Sequence, residues 1–340
     1  MLCTMFLLAN EERGHFATLC EGSDFPRKSD PLSPNNTIRA PIYRLDSGLF
    51  FALRFRYDLW PKALVCRKAD KRPHRLAEVY AIDMCLILIS YKAHKQYPLI
   101  LIANRDELYD RKAVQARFWP ELPELLAGRD REKGGTWLGL TKRGRIAAVT
   151  NYRSGDQNRI EAKSRGELPL AYLRGVQTPS QFCSRLKRER SRYRGYNLIF
   201  GTLCDLWTYS NVNDRSVRLE PGIHGVSNHF LNTPWPKVVL GKKILESCTK
   251  RDNFTHDQLL DHLRNEVVAD DTDLPNTGVG IEMERLLSPI FIRSETYGTR
   301  CSTVATLDCR GNVEFSERTY RQGKPIDQIV FQFPLQSIVP

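Results

Sequence analysis

The sequence lacks the features typical of membrane-spanning, secreted and metal-clustering proteins. It contains no run of eighteen apolar residues, and its opening MLCTMFLLANEER has neither a basic leader nor a small-residue cleavage site. Its nine cysteines are scattered and odd in number, and none forms a Cys-x-x-Cys pair. This spacing argues against a zinc cluster or a disulfide framework. We therefore expect no transmembrane segment, no metal and no other cofactor, and a location in the reducing cytoplasm.

A nucleic-acid-binding motif is also missing, although the net charge is +12. The densest basic stretch, RLKRERSRYR at 185–194, follows Thr178 and Pro179, which are suited to a helix cap and first turn. Phe182 and Leu186 then lie one turn apart on a buried face, with the arginines towards water. The pattern predicts a solvated helix end, and we expect no specific nucleic-acid partner.

The first 83 residues lack a lasting helix or strand period, and proline-rich segments such as PRKSDPLSPNNTIRAP interrupt their short apolar runs. After Met84 the pattern changes to strand-length apolar runs. We therefore predict one domain at 84–340, preceded by a poorly ordered segment at 1–83.

Paired strands and paired helices alternate along this domain. CLILISYK with PLILIANRD, GGTWLGL with GRIAAVTNYR, and YNLIFG with DLWTYS predict three hairpins. PIFIRS, TRCSTVATLD and NVEFSERTY predict later strands. Helices are expected at SRGELPLAYLRG, at TPSQFCSRLKRER, at TPWPKVVLGKKILESCTKR with Val239, Ile244 and Leu245 on one stripe, and at THDQLLDHLRNEV with Leu259, Leu260 and Leu263 on one stripe. The alternation indicates an α+β domain with largely antiparallel sheets.

Cys85 directly follows a methionine, which gives it a special chemical position. If translation starts at Met84, removal of the initiator methionine leaves Cys85 with a free α-amine. The reference pKa of such an amine, about 7.7 to 8.0, suits a general base near neutrality. Thiol and base would then share one residue, an economical form of nucleophilic catalysis in which the amine takes the thiol proton as sulfur attacks a carbonyl. The alternative is a small buried strand cysteine among leucines.

Arg105 and Asp106 stand where the second apolar run becomes polar, opposite the run that begins at Cys85. Asp106 is placed to orient an amine, and Arg105 to lower a thiol pKa or hold a carboxylate. The alternative is an ordinary surface Arg-Asp pair of little energetic worth.

Seven ordered blocks then point to a known family: MCLILISYK, PLILIANRDELYDR, GGTWLGLTKRGRIAAVTNYR, YNLIFG, HGVSN, TPWPKV and YGTRCSTV. Over about residues 84 to 320 the chain resembles the NRDE family, also called the transport and Golgi organisation protein 2 family. The resemblance implies an N-terminal nucleophile hydrolase, related to the cysteine acylases that cleave penicillin V and conjugated bile salts. The implied fold is a four-layer αββα sandwich with the nucleophile at the start of a central strand.

The same resemblance implies roles for six residues. Cys85 matches the nucleophile, Arg105 and Asp106 match the Arg and Asp after the second strand, and Asn151 resembles the oxyanion-hole asparagine. Asn197 matches a second substrate-side asparagine and Arg300 the late arginine of the pocket. Each has a structural alternative: a strand cap or backbone contact for Asn151, a turn for Asn197, and a carboxylate pair for Arg300.

Two functions remain open at this point. The catalytic residues favour a hydrolase that cleaves a non-peptide amide or related acyl bond of a small molecule. The family's links to secretory organisation and haem movement favour a carrier for haem or another hydrophobic anionic ligand. His224 and His229 lack metal-ligand spacing and are expected to be ordinary loop histidines, although one histidine suffices as a haem ligand. Gly134, Gly135 and Trp137 suggest a close backbone approach and a pocket wall, or simply core.

The junction at Met84 decides whether this chemistry is available. We expect residues 1–83 to be an over-extended N-terminus, with translation starting at Met84. The alternative is a propeptide cut before Cys85. Both routes expose the same amine, and a mature chain that retained residues 1–83 would block it.

Overall fold

The computed structural model describes residues 43–44, 50–51, 84–153, 162–202, 204–251 and 253–336. The chain divides into two compact units, residues 1–68 and residues 69–340. In the first unit the described part is one antiparallel strand pair, β1 (Tyr43–Arg44) and β2 (Phe50–Phe51). The prediction that residues 1–83 are poorly ordered otherwise lies outside the described residues.

The second unit contains thirteen further strands among its described residues. In chain order they are β3 (Met84–Tyr91), β4 (Leu99–Leu108), β5 (Ala113–Trp119), β6 (Leu122–Asp130), β7 (Leu138–Thr141), β8 (Arg145–Asn151), β9 (Tyr196–Thr202), β10 (Asp205–Ser210), β11 (Arg215–Arg218), β12 (Gly222–Val226), β13 (Tyr297–Leu307), β14 (Asn312–Arg321) and β15 (Lys324–Pro334).

These strands form two antiparallel sheets. One sheet has the order β12-β3-β4-β13-β14-β15, and the other has the order β11-β10-β9-β8-β7-β6-β5. Five α-helices accompany the sheets in the described ranges: α1 (Glu167–Arg174), α2 (Pro179–Glu189), α3 (Pro236–Thr249), α4 (His256–His262) and α5 (Ile281–Leu287).

The buried side chains define four layers. Alternate residues of a strand point to opposite faces of its sheet, so each sheet has an inner and an outer apolar face. Inner residues such as Ile87 and Leu101 pack against Ile146 and Ile199 of the other sheet. Helices α1 and α2 cover the outer face of the seven-stranded sheet, and α3 and α4 cover that of the six-stranded sheet. The predicted αββα sandwich is confirmed.

The strongest local patterns of the sequence are also confirmed. The three predicted hairpins are β3 with β4, β7 with β8, and β9 with β10. Helix α2 begins at Pro179, and its Thr178 cap accepts a hydrogen bond from the backbone N–H of Gln181. Phe182 and Leu186 are buried on this helix, as expected from their spacing. Leu259, Leu260 and Leu263 are buried beneath α4.

The predicted buried stripe of α3 was right for Leu245, which is fully buried, and wrong for Val239, whereas Ile244 is half-buried. Val239 is 36% exposed, and the buried residues are Lys237, Val238, Gly241, Leu245 and Cys248. The reason is the close approach of Gly241 to Leu88 of β3, which sets the rotation of the helix. This rotation turns Lys237 towards the sheet.

The predicted strand PIFIRS was also wrong. Residues 289–294 form no strand, although Ile290, Phe291 and Ile292 are buried. The backbone N–H of Phe291 donates to Asn265, outside both sheets. An apolar run this short indicates burial without specifying a strand partner. Within the described ranges, none of the helices has the length and apolar character needed to cross a membrane.

Replacing Gly241 with Ala tests the contact that sets the rotation of α3. A Cβ atom there would lie 2.5 Å from Cδ1 of the fully buried Leu88. We expect the overlap to outweigh the better helix propensity of alanine and to lower the free energy of unfolding by about 1 to 2 kcal/mol. Urea unfolding measures this change, with Lys243→Ala on the exposed side of α3 as the control. A Gly241→Ala protein as stable as the control would contradict the packing argument.

Candidate active site

Cys85 lies at the start of the sheet strand β3, beside a cavity. It is half-buried, and its register partner on β4 is Arg105. The Ser227 hydroxyl donates to the Cys85 carbonyl oxygen at 3.0 Å, which fixes the backbone at the strand start. The cavity has a volume of about 440 Å³, and Cys85, Arg105, Asp106 and Asn151 all line it. Four of the six predicted site residues therefore meet at one cavity.

Arg105 is held rigidly beside Cys85. Its guanidinium lies 4.5 Å from the centre of the Trp137 ring and 3.3 Å from a carboxylate oxygen of Glu107. Glu107 also faces Arg111 at 3.4 Å, and Arg111 pairs with Asp130 at 2.6 Å. Stacking and alternating charges fix the Arg105 fork in a place where it can meet an anionic group.

Trp137 reaches this position because β6 carries a glycine beneath it. A Cβ atom at Gly128 would overlap the Trp137 ring, so only glycine lets the ring lie against this strand. Gly135 similarly approaches the backbone of Gly166 too closely for a side chain. The close backbone approach expected of the GGTWLGL segment is thus present at Gly135, and Trp137 lines the cavity.

Asp106 points to the outer face of the same sheet, because it follows Arg105 directly. It is 1% exposed, and the Thr299 hydroxyl donates to its Oδ1 at 2.6 Å. Its Oδ2 has no hydrogen-bond partner among the described residues. Burial raises the pKa of Asp106 to about 6, while the positive charge of Lys237, the Thr299 hydrogen bond and the charge of Arg105 oppose the rise.

Asn151 comes from the other sheet, at the end of β8, and lines the cavity that Cys85 lines. Its backbone carbonyl accepts a hydrogen bond from the Asn228 side chain at 3.1 Å. The two sheets thus bring a thiol and a side-chain amide to one cavity. An amide N–H is a suitable donor to the oxyanion that forms on a carbonyl oxygen when a thiol attacks the acyl carbon.

Asn197 and Arg300 do not line this cavity. The Asn197 amide donates to the His229 carbonyl at 2.9 Å and to the Thr150 hydroxyl at 3.2 Å. Arg300 donates to the backbone carbonyls of Leu108 at 2.6 Å and Arg111 at 3.0 Å. In this structure Asn197 connects two segments beside the sheet, and Arg300 fixes the turn after β4.

Lys237 is the site residue that the sequence reasoning missed. It stands in the first turn of α3, is 2% exposed, and its Nζ has no hydrogen-bond partner among the described residues. Burial lowers the pKa of Lys237 to about 8, and the charge of Asp106 opposes that fall. The only signal in the sequence was the TPWPKV block, in which a lysine at a helix start reads as solvent-exposed.

The two histidines of the HGVSNHF segment have both ring nitrogens occupied by protein groups. His229 contacts the Tyr152 hydroxyl at 2.8 Å and the Thr233 hydroxyl at 2.9 Å. His224 contacts the Glu220 carbonyl at 2.7 Å and the Asn232 side chain at 3.2 Å. Neither ring offers a vacant nitrogen to haem iron in this arrangement. The part of the chain that the structure describes holds no cluster of three or more potential metal ligands.

The raised pKa of Asp106 predicts a pH dependence of stability. Between about pH 4 and pH 6 the folded chain binds more protons at Asp106 than the unfolded chain, because the pKa rises from 3.8 to about 6 on folding. This carboxyl therefore stabilises the fold at low pH, and the contribution is lost as pH rises, by about 3 kcal/mol in all. Asp106→Asn removes the dependence, so the variant should gain stability over the unmodified chain as pH rises.

Urea unfolding at several pH values measures this difference, with Asp110→Asn as the control because Asp110 is an exposed carboxylate nearby. A stability difference between Asp106→Asn and the unmodified chain that stays constant, or shrinks with rising pH, would contradict the assignment.

Comparison with known proteins agrees with the family resemblance. The family model described as Transport and Golgi organisation 2 matches residues 84–322. The Transport and Golgi organization protein 2 homolog of Bos taurus is 35% identical over 277 residues, covering 75% of this chain and 100% of the relative. The Homo sapiens homolog is 34% identical with the same coverage, and the Drosophila melanogaster protein is 26% identical over 69% of this chain and 92% of its own.

Two solved structures are also similar in part. One is a conjugated bile acid hydrolase from Clostridium perfringens, 8% identical, with a TM-score of 0.39 over 75% of this chain and 92% of that chain. The other is a Caenorhabditis elegans N-acylethanolamine-hydrolyzing acid amidase ortholog, 12% identical, with a TM-score of 0.34 over 65% and 92%. On the match of the family model and the identity to its relatives, this chain belongs to the Transport and Golgi organisation 2 family.

Proposed function

We propose that the chain beginning at Cys85 is an N-terminal nucleophile cysteine hydrolase that cleaves a non-peptide amide or related acyl bond. One observation carries this proposal. The strand register pairs Met84 with Asp106 and Cys85 with Arg105, at a cavity that Asn151 also lines. When Met84 is removed, the new α-amine takes its place beside a buried carboxylate oxygen that has no hydrogen-bond partner in the described residues.

The proposed reaction uses these groups in sequence. The α-amine of Cys85 accepts the thiol proton as sulfur attacks the acyl carbon of the substrate. The Asn151 amide donates to the oxyanion, an interaction whose loss can cost about 3 kcal/mol of barrier. The protonated α-amine then gives its proton to the leaving amine as the carbon–nitrogen bond breaks, and a thioester remains. Water activated by the same α-amine hydrolyses the thioester and restores the thiol.

Asp106 and Arg105 support this reaction from opposite faces of the sheet. Asp106 is placed to accept a hydrogen bond from the α-amine and so to orient it, because its Oδ1 is already held by Thr299. Arg105 faces the cavity and is placed to bind an anionic part of the substrate. Asn197 and Arg300 act through the segments that they fix.

The charge of the cavity indicates the class of substrate. Its cationic side chains outnumber its anionic ones, since the Asp106 side chain points to the outer face of the sheet; the cations are Arg105, Arg111, Lys133, Lys163, Arg165 and Arg194, and the anions are Glu107, Asp130 and Glu167. An excess of positive charge concentrates anionic ligands in a cleft. We therefore propose an acyl amide that carries a carboxylate or another negative group.

The proposal requires that residues 1–83 be absent from the active protein. Strand β3 begins at Met84, and the family match begins at the same residue. Translation from Met84 with removal of the methionine, or cleavage of a propeptide, would each supply the amine. No disulfide joins the cysteines of the described residues, which suits the reducing cytoplasm that we propose as the location.

A carrier of haem or a lipid-like anionic ligand is the rival function, because the same positive cavity suits non-covalent binding of an anion. The occupied ring nitrogens of His224 and His229 give a haem iron no ligand from that segment. The hydrolase is therefore the function that the geometry supports better.

Covalent acylation of Cys85 tests the proposal. The chain beginning at Cys85 is incubated with a panel of coumarin amides of dicarboxylic acids, and intact mass and fluorescence are followed. We expect one acyl adduct per chain and release of the coumarin, because sulfur and base are then on one residue. Cys85→Ala should abolish both, whereas Cys309→Ala, at an exposed thiol, should leave both unchanged.

Haem binding is measured in parallel by absorbance titration. Absence of adduct and turnover, together with tight haem binding that is insensitive to Cys85→Ala, would overturn the hydrolase proposal in favour of the carrier.

A further inference from the structure

Two buried groups of opposite charge lie behind the start of β3, and each has one polar atom without a hydrogen-bond partner among the described residues. The Lys237 side chain, on α3, is 2% exposed, and the Asp106 side chain, on β4, is 1% exposed. Neither the Lys237 Nζ nor the Asp106 Oδ2 has a hydrogen-bond partner in the described residues. Buried polar atoms are normally satisfied, so a pair of unsatisfied atoms at one place indicates a missing group.

The surroundings of Lys237 disfavour its charge. It is buried at the positive end of a fourteen-residue helix, where a cation interacts unfavourably with the helix dipole. The charged groups that face it are Asp106, Arg153, Glu284 and the Cys85 thiol. Glu284 is paired with Arg153 at 2.9 Å, which leaves Asp106 as the main negative charge available to Lys237. The other groups that interact with Asp106 are the Thr299 hydroxyl, Arg105 and the Tyr109 phenol.

The register identifies the missing group. Met84 is the strand partner of Asp106, so a chain that begins at Cys85 ends in an α-amine beside the Asp106 carboxylate. Asp106 alone would stabilise the ammonium form of this amine, which cannot accept a proton. A second cation near the carboxylate has the opposite effect, because it compensates the negative charge and repels an ammonium.

We propose that Lys237 is the positioning residue that keeps the α-amine of Cys85 uncharged and therefore able to accept the thiol proton. The inference rests on the proposed function in that the active chain must begin at Cys85. Asp106 then accepts a hydrogen bond from the amine and orients it. The positive charge of Lys237 compensates the negative charge of Asp106, which would otherwise stabilise the ammonium form of the amine. Direct contact of Lys237 with the substrate is not required.

The α-amine can be titrated directly in the chain that begins at Cys85. With ¹⁵N-cysteine incorporated, the terminal amine gives a nitrogen signal far from those of the backbone amides of the other cysteines. We expect its pKa to lie below the ordinary range of about 7.7 to 8.0. Lys237→Met should raise this pKa by roughly one unit or more, because the compensating cation is lost.

Two further variants separate charge from packing. Lys237→Arg keeps the cation and should leave the pKa of the α-amine close to that of the unmodified chain. Lys243→Met removes an exposed cation from the same helix and should have no effect.

The result that overturns the inference is an α-amine pKa at or above the ordinary range in the unmodified chain, which needs no variant and so no assumption about folding. An α-amine pKa in Lys237→Met that equals the pKa in the unmodified chain also overturns the inference. Either result leaves the hydrolase proposal standing if acyl adducts form at Cys85. If the titration is as expected, but no acyl adduct forms and haem binds tightly whether or not Cys85 is replaced by Ala, the hydrolase proposal alone is overturned.

Discussion

The antiparallel pairing of β3 with β4 is the constraint on which the rest of the site depends. Its register places Cys85 opposite Arg105 and Met84 opposite Asp106. Because side chains alternate between faces, Arg105 points between the sheets while Asp106 points towards the helices. A slip of one residue would exchange these faces and separate the carboxylate from Lys237. The buried leucines and isoleucines of both strands fix the register, so the apolar core determines the placement of the charges.

The second feature of the site is the free-energy cost of burying the charges of Asp106 and Lys237. Asp106 and Lys237 are both buried, and burial moves the pKa of each towards the neutral form. Apolar residues in these two places would give a more stable fold, as is often found for buried ionic groups. A pair that costs stability and remains unsatisfied is typical of a functional site. Helix α3 brings one member to β3 because Gly241 allows close packing on Leu88.

Much of this arrangement could be predicted from the sequence. Apolar runs of strand length with turn residues between them determined the three hairpins, and the hairpin from Cys85 to Asp106 already juxtaposed the predicted nucleophile and carboxylate. Asn151 was predicted through the family resemblance, and the end of β8 carries it to the cavity that Cys85 lines. The rotation of α3 could not be predicted, because it depends on the contact of Gly241 with a strand distant in sequence. Lys237 was missed for the same reason.

The partners of Asn197 and Arg300 were equally beyond local patterns. Each side chain contacts the backbone of a segment that is distant in sequence, and only the folded chain determines that segment's position. Residues whose partners are neighbours on a hairpin can thus be placed from the sequence, whereas residues whose partners come from another layer cannot.

The central claim is that Cys85 is the first residue of the active protein. Intact mass and N-terminal sequencing of the protein made from its native gene test it most directly. We expect a chain that begins at Cys85, with neither residues 1–83 nor Met84 attached. An active chain that retains Met84 or the segment before it would exclude the proposed chemistry, because its Cys85 nitrogen would be an amide and no base.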